Sequence, residues 1–193
     1  MLILCAICGY LLGSVPFGLV ITRAFGLGDL RQIGSGNIGA TNVLRTGNKL
    51  AALLTLICDV GKGAFAVIAA RWFLGDLAGL AAGAGAFIGH CYPLYLKFKG
   101  GKGVATFLGT ILALTWPVGL LVCATWIVTA AVTRISSLSA LVAAAMAPVW
   151  ALLLGLPWNA LTMGVMAIFI FLRHRANIAR LRAGTEPKIG KKP

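Results

Sequence analysis

The sequence is poor in charged residues, and acids are the scarcest of them. Only 11% of the 193 residues are charged, and four Asp and Glu stand against seventeen Lys and Arg. Soluble domains have about a quarter charged residues, so this composition excludes an ordinary soluble protein. A mean hydropathy of +0.95 indicates an integral membrane protein instead. Apolar stretches run through the whole length, which a cleaved signal peptide would not explain.

The sequence also lacks the residue patterns of metal, disulfide and nucleotide sites. Cys5 and Cys8 have CxxC spacing, but no second pair or histidine ligand accompanies them, so we expect neither a metal nor a disulfide framework. The GxxxxGK[ST] pattern of nucleotide hydrolases is absent. We therefore expect no cofactor. The net charge of +13 would suit nucleic acid in a soluble chain. In so apolar a chain it predicts membrane orientation and attraction to anionic lipids or substrates, with no nucleic-acid partner.

The apolar stretches predict an all-α, polytopic membrane protein with a single membrane domain over residues 1–193. A span needs about 20 apolar residues, although shorter ones are tolerated. We expect spans at about 2–22, 50–73, 77–96, 104–116, 117–133, 137–155 and 158–173. The fourth and fifth form one uncharged run interrupted by Trp116 and Pro117, which is compatible with one long tilted helix or with two short ones.

The distribution of basic residues favours two helices in this run. Cytoplasmic loops of membrane proteins carry an excess of Lys and Arg. If the loop 23–49 is cytoplasmic, seven spans also place the lysines of 97–102, Arg134 and the basic tail from Arg173 inside. A single helix would put that tail outside. We therefore predict seven spans, with the N-terminus outside and the C-terminus in the cytoplasm.

This topology places three polar segments, 31–49, 97–106 and 173–186, on the cytoplasmic side. Residues 34–42 of the first contain three glycines, whose positive-φ turns can aim successive backbone N–H groups at one point. Its other candidate ligands for phosphate are Ser35, Asn37, Thr41, Asn42 and Arg45, the last as a bidentate fork. The alternative is a flexible linker.

The second segment places Gly100, Gly101, Lys102 and Gly103 at the start of a predicted helix. Glycine amides, an ammonium group and a helix N-terminus together favour an anion, although an ordinary basic loop at the membrane face is the alternative. In the third segment His174 and Asn177 are three residues apart and would share a helical face. Its arginines are equally compatible with binding anionic lipid headgroups.

Three further ionisable residues lie inside or beside predicted spans. Asp59 and Lys62 are three apart in the second span and can pair on one helical face. A structural ion pair and direct substrate contact are both compatible with this spacing. We expect His90, near the inner end of the third span, to be a hydrogen-bonded residue at a helix end.

Together these motifs resemble the bacterial acyl-phosphate:glycerol-3-phosphate acyltransferases. The first motif is Gly34-Ser-Gly-Asn-Ile-Gly-Ala-Thr-Asn-Val43 with Arg45. The second is Gly89-His-Cys-Tyr-Pro93 followed by Phe98-Lys-Gly-Gly-Lys-Gly-Val-Ala-Thr106. The third is Arg173-His-Arg-Ala-Asn-Ile-Ala-Arg-Leu181 with Gly184 and Glu186. One departure is Ala176, where family members often have glutamate.

The resemblance implies a reaction in phospholipid synthesis at the bacterial inner membrane. A fatty acyl group would pass from acyl phosphate to the 1-hydroxyl of sn-glycerol 3-phosphate, giving lysophosphatidic acid and inorganic phosphate. Seven spans with a cytoplasmic active site are the family architecture. The oligomeric state is left open, and a monomer is compatible with the sequence. A transporter of phosphorylated metabolites is the main alternative, but its usual internal repeats are not found in this sequence.

The group that takes the proton from the attacking hydroxyl is not fixed by the sequence. Beyond the membrane the cytoplasmic face offers only Asp29 and Glu186 as carboxylates. One hypothesis is that the phosphate of the donor accepts the proton, while His174 and Asn177 orient glycerol phosphate. The alternatives make His174 the general base or Ser35 a covalent nucleophile. Ser35, His174 and Asn177 are thus the candidate catalytic residues.

Overall fold

A computed structural model describes residues 1–190. Over these residues the secondary structure is helical, and no strand is present. The chain forms two compact units, one ending at Leu114 and the other beginning at Thr115. A single membrane domain over residues 1–193 stays a prediction.

The amino-terminal unit contains six α-helices joined by short polar segments. They are α1 Leu2–Gly13, α2 Phe17–Ala24, α3 Ala40–Val43, α4 Lys49–Leu74, α5 Asp76–Cys91 and α6 Val104–Leu114. Single 3₁₀ turns form at Leu30–Gln32, Leu44–Thr46 and Leu94–Leu96. The stretch predicted as one span at 2–22 is interrupted before Phe17, because Pro16 has no N–H to donate into a continuing helix.

Glycine lets the backbones of α1 and α5 touch. A Cβ atom at Gly9 or Gly13 of α1 would overlap a backbone carbonyl of α5, and one at Gly85 or Gly89 would overlap a carbonyl of α1. Both helices thus present two glycines four residues apart, the spacing that permits close helix contacts in membranes. The same device joins α4 to α6, where a Cβ at Gly109 would overlap the carbonyl oxygen of Val60.

The carboxy-terminal unit contains four helices in the residues that the structure describes. They are α7 Trp116–Thr133, α8 Ser136–Leu153, α9 Pro157–Arg173 and α10 Arg175–Arg182. Helix α8 packs against both α7 and α9. The uncharged run that begins at Val104 is interrupted at Thr115, with Pro117 in the first turn of α7. The prediction of two helices in this run is therefore confirmed.

The described residues contain five apolar helical stretches long enough to cross a membrane. These are Leu2–Ala24, Lys49–Leu74, Asp76–Leu96, Trp116–Thr133 and Ser136–Leu153. The two remaining predicted spans coincide with shorter apolar helices, Val104–Leu114 with 11 residues and Pro157–Arg173 with 17. The chain is accordingly a helical, multi-pass membrane protein. The count of seven spans and their orientation stay predictions.

Candidate active site

The buried side chain of Asn42 organises the first polar segment. Its Nδ2 donates to the carbonyl oxygens of Leu30 at 3.1 Å and Ile33 at 2.8 Å. Its Oδ1 accepts from the backbone N–H of Ser35 at 3.1 Å and from Nη1 of Arg45 at 3.3 Å. Only 1% of Asn42 is exposed. Its amide therefore holds the loop together and brings Ser35 and Arg45 to one place.

The exposed members of this segment are those suited to a ligand. Ser35, Thr41 and Arg45 are exposed, whereas Asn37 is half-buried. Gly34 has a φ of +54°, and a Cβ there would meet Oδ1 of Asn42 at 2.7 Å. Glycine is thus required for the turn that seats Ser35 beside the Asn42 amide. The loop presents a hydroxyl and a guanidinium together, a combination suited to a phosphate.

The second segment lies directly on the end of α5. The backbone N–H of Gly101 donates to the carbonyl oxygen of His90 at 3.0 Å. A Cβ at Gly100 would overlap the same carbonyl, and one at Gly103, whose φ is +82°, would overlap the ring of Phe87. Only glycine fits these positions. The Gly101 amide is directed at His90, and Lys102 is half-buried. Anion binding by Lys102 and the glycine amides of this segment stays a prediction.

Asp59 and Lys62 form the ion pair that their spacing predicts. The Lys62 Nζ lies 2.8 Å from Oδ1 of Asp59, and both side chains are buried. Nδ1 of His90 lies 3.5 Å from the same oxygen. The sequence did not predict this contact between α4 and α5.

In the carboxy-terminal unit the carboxylate of Glu186 connects α8 with α10. Its Oε1 accepts from Oγ of Ser137 at 2.6 Å and from Nδ2 of Asn177 at 2.5 Å. Its Oε2 accepts from Nε of Arg180 at 2.7 Å. The backbone N–H of Ile189 donates to the carbonyl oxygen of Arg134, so the segment after α10 is also held at the start of α8. Glu186 therefore fixes the amide of Asn177.

The contacts of His174 determine which of its ring nitrogens is basic. The residue lies at the junction of α9 and α10 and is 2% exposed. Its Nδ1 is 2.8 Å from the carbonyl oxygen of Ile170. A carbonyl can only accept, so Nδ1 carries the hydrogen and the lone pair of the neutral ring is on Nε2. His174 and Asn177 are both buried, and His174 lies in the break before α10, so a helical face shared by the two stays a prediction.

Neither carboxylate named as a possible base is well suited to that task. The side chain and backbone N–H of Arg31 lower the pKa of Asp29 to about 2. Burial raises the pKa of Glu186, but hydrogen bonds from Ser137, Asn177 and Arg180 outweigh burial and lower it overall. Both groups are therefore weak proton acceptors that already receive hydrogen bonds.

Sequence reasoning missed the buried Ser137 and the organising role of Asn42. Ser137 is one of several serines at the start of α8, and nothing in its own sequence context points to Glu186, 49 residues further on. The glycines and small polar residues around Asn42 gave a signal, but it was interpreted as direct phosphate contact. Direct contact of Asn42 with phosphate stays a prediction. Among the described residues, no group of three or more His, Cys, Asp or Glu is placed to hold a metal ion.

Comparison with known proteins gives consistent matches. The family model "Glycerol-3-phosphate acyltransferase" matches residues 3–184. A glycerol-3-phosphate acyltransferase of Jannaschia sp. (strain CCS1) is 65% identical over 97% of this chain and 93% of its own length. The crystal structure of PlsY (YgiH), an integral membrane glycerol 3-phosphate acyltransferase, in its glycerol 3-phosphate form superposes with a TM-score of 0.92. It is 37% identical and covers 98% of this chain and 96% of that one.

The lysophosphatidic acid form of the same enzyme gives a TM-score of 0.89 at 34% identity, over 98% of this chain and 95% of that one. Sequence and fold thus agree over nearly the whole length, including all three polar segments. This chain is an acyltransferase and belongs to the glycerol-3-phosphate acyltransferase family.

Proposed function

We propose that this chain transfers a fatty acyl group from acyl phosphate to the 1-hydroxyl of sn-glycerol 3-phosphate. The products are lysophosphatidic acid and inorganic phosphate, within phospholipid synthesis. The observation that carries the acceptor and the product is the likeness to a solved enzyme with a glycerol 3-phosphate form and a lysophosphatidic acid form. We propose that the enzyme needs no cofactor, binds no nucleic acid and is surrounded by membrane lipid.

An acyl phosphate donor is supported by the cations of the amino-terminal unit. Both substrates would carry phosphate, and this unit presents Arg45 and Lys102 on two separate glycine-bearing segments. The exposed Ser35 beside Arg45 suits hydrogen bonding to a phosphate oxygen. The proposed supporting donors are Asn37, Thr41, Gly100 and Gly103. Asn42 and Gly101 contribute through the shape of their loops, because their N–H groups donate within the protein.

The reaction needs little covalent chemistry from the protein, because acyl phosphate is already activated. The 1-hydroxyl oxygen bonds to the acyl carbonyl carbon, and the bond from that carbon to the phosphate oxygen breaks. The hydroxyl proton ends on the departing phosphate. Positioning and charge stabilisation then supply most of the rate.

His174 and Asn177 orient the glycerol phosphate in this proposal. The lone pair on Nε2 of His174 can accept a hydrogen bond from a glycerol hydroxyl. Glu186 fixes the Asn177 amide nitrogen, which directs the amide oxygen. Ser35 is proposed as a hydrogen-bond donor and not a nucleophile, because its hydroxyl donates to Oδ1 of Asn42 at 3.4 Å and an amide oxygen is not a base.

Location and topology complete the proposal. The enzyme would lie in the bacterial inner membrane with seven spans, its N-terminus outside and its three polar segments in the cytoplasm. Acyl phosphate and glycerol 3-phosphate would reach it from the cytoplasmic side. The excess of Lys and Arg in these segments supports this orientation.

The test is purified protein in lipid nanodiscs with palmitoyl phosphate and labelled glycerol 3-phosphate. We expect lysophosphatidic acid and inorganic phosphate in equal amounts, and no product when palmitoyl-coenzyme A replaces the phosphate. Activity with the thioester alone would refute the donor. Uptake of label into proteoliposomes without acylation would favour the transporter.

A second experiment separates the three routes for the proton. Rapid quenching with labelled acyl phosphate in the absence of acceptor should leave no acyl group on Ser35. An acyl-Ser35 adduct that glycerol 3-phosphate discharges would overturn the substrate-assisted route. Complete loss of turnover in His174→Gln at all pH values, with substrate affinity intact, would favour His174 as general base.

A further inference from the structure

Three buried ionisable residues have no part in the proposed reaction. Asp59 and Lys62 of α4 and His90 of α5 are 1%, 3% and 4% exposed. Charged groups within a membrane-spanning helix are costly, and truncating one partner of a buried pair is more costly still. Stability alone is therefore a weak reason for their presence. We call them the buried triad.

The triad centres on one carboxylate oxygen. Oδ1 of Asp59 lies 2.8 Å from Nζ of Lys62 and 3.5 Å from Nδ1 of His90. The first contact is within α4, and the second joins α4 to α5. Asp59 therefore fixes the direction of the lysine and places its carboxylate beside the imidazole.

His90 connects the triad to the glycine segment 100–103. Its carbonyl oxygen accepts from the N–H of Gly101 at 3.0 Å. Its ring lies against Gly101 so closely that a Cβ there would overlap Nε2. The imidazole thus packs directly against the backbone of Gly101, and a rotated ring would displace that backbone.

Lys62 connects the triad to the break between α1 and α2. Its Nζ donates to the carbonyl oxygen of Val15 at 3.0 Å and lies 5.7 Å from the ring centre of Phe17, the first residue of α2. Helix α2 in turn touches the first polar segment, because a Cβ at Gly18 would overlap the carbonyl oxygen of Ile38. The ammonium thereby holds the start of α2 in place and, through α2, this segment.

We propose that the buried triad is a positioning device that holds the first polar segment and the glycine segment in fixed relation to each other. Lys62 acts through Val15 and α2, His90 acts through Gly101, and Asp59 joins the two. That these segments bind phosphate rests on the proposed function, but their placement by the triad does not.

The two arms can be cut separately. The double variant Asp59→Asn/Lys62→Met leaves no buried charge unpaired and removes the contact with Val15. We expect the amides of residues 33–46 to exchange with solvent at least about tenfold faster in this variant. His90→Leu removes the imidazole that packs against Gly101. The amides of residues 98–106 should then exchange at least about tenfold faster. His90→Gln, whose amide nitrogen takes about the place of Nε2 beside Gly101, should restore protection.

Kinetics give the second measurement. In both the double variant and His90→Leu we expect kcat/KM to fall at least about tenfold, mainly through a higher KM for one or both substrates. His90→Gln should recover most of the loss caused by His90→Leu. The control is Asp76→Asn, which removes the pair between Nε of Arg71 and Oδ1 of Asp76 at 2.5 Å. That pair lies where α4 ends and α5 begins, away from the triad, so exchange in both segments and KM should stay at the wild-type values.

Two results would overturn the proposal. In the first, His90→Leu and the double variant both fold, both segments exchange at the wild-type rates, and both substrates bind with wild-type affinity. The other is faster exchange spread evenly over α8 and α9 as well, which would mean a general loss of stability. If His90→Leu does not fold, the double variant decides through residues 33–46. If the wild type makes no lysophosphatidic acid, the proposed function fails while the exchange measurements still decide the placement.

Discussion

At the scale of single residues, the cations proposed to bind phosphate are exposed or half-buried, whereas the groups that position them are buried. Arg45 is exposed, and its Nη1 donates a hydrogen bond to Oδ1 of the buried Asn42. Lys102 is half-buried between Gly101 and Gly103, where an added Cβ atom would overlap the rings of His90 and Phe87. The residues that carry charge to a ligand therefore depend on neighbours that never reach solvent.

Arg45→Ala and Lys102→Ala should each reduce kcat/KM by about fivefold to 150-fold. This corresponds to about 1–3 kcal/mol for one charge-assisted contact with phosphate. Steady-state assays with each substrate varied in turn are the measurement. Lys99→Ala, an exposed cation in the same segment, is the matched control and should change little. Wild-type kinetics in both of the first two variants would place the phosphates elsewhere.

The ionised Glu186 should make the free energy of unfolding decrease as the pH falls. Its pKa is lower in the folded chain than its ordinary value of 4.5, so its stabilising effect is complete above that value. The effect is lost as the pH falls from about 4.5 through the lower folded pKa. Thermal unfolding in detergent between pH 6 and 3 should therefore show a falling midpoint. Glu186→Gln should have a lower midpoint at pH 6 and a flatter dependence. Parallel curves for the two proteins would contradict this role.

At the scale of elements, the contact between α1 and α5 is made possible by missing side chains. Glycines four residues apart on each helix let the two backbones meet. Hydropathy predicted both spans, because apolar composition is a property of each stretch alone. The break before Phe17 was not predicted, although Pro16 provided a local signal for it. Which face of α1 meets α5 depends on both helices together, so no single stretch encodes it.

Gly85→Ala should destabilise the amino-terminal unit. The added Cβ would overlap the carbonyl oxygen of Ala6, and such overpacking costs about 1–3 kcal/mol or more. Gly61→Ala in α4 is the matched control, since no atom lies within 4 Å of its Cβ position. It should stabilise the helix by about 0.5–1 kcal/mol. Thermal unfolding of both variants in one detergent compares them, and equal midpoints would argue against the close contact.

At the scale of the whole molecule, the charge distribution makes a prediction about sidedness. A membrane-impermeant maleimide should label Lys188→Cys, in a background without native cysteines, only in inverted vesicles. Asp76→Cys should be labelled only in right-side-out vesicles, because seven spans place the turn between α4 and α5 outside. Activity of the cysteine-free parent is the control. Labelling of both sites from one side would exclude the proposed topology.

The sequence by itself determined the helical membrane class, most helix positions and the three polar segments. These follow from hydropathy, charge and glycine content, which are properties of neighbouring residues. The pairing of Asp59 with Lys62 was also predictable, because three residues along a helix bring two side chains to one face.

Only the tertiary structure decided how the candidate residues are held. It brought His90 of α5 to Asp59 of α4, turned Asn42 into the centre of its loop and joined Ser137 to Glu186 across 49 residues. It also assigned the lone pair of neutral His174 to Nε2 through the carbonyl of Ile170. The contacts of His90 with Asp59 and of Ser137 with Glu186 join segments far apart in the sequence, and such packing is not a property of any local stretch. The contacts of Asn42 and His174 are local, but they depend on the backbone turns that the folded chain adopts around them.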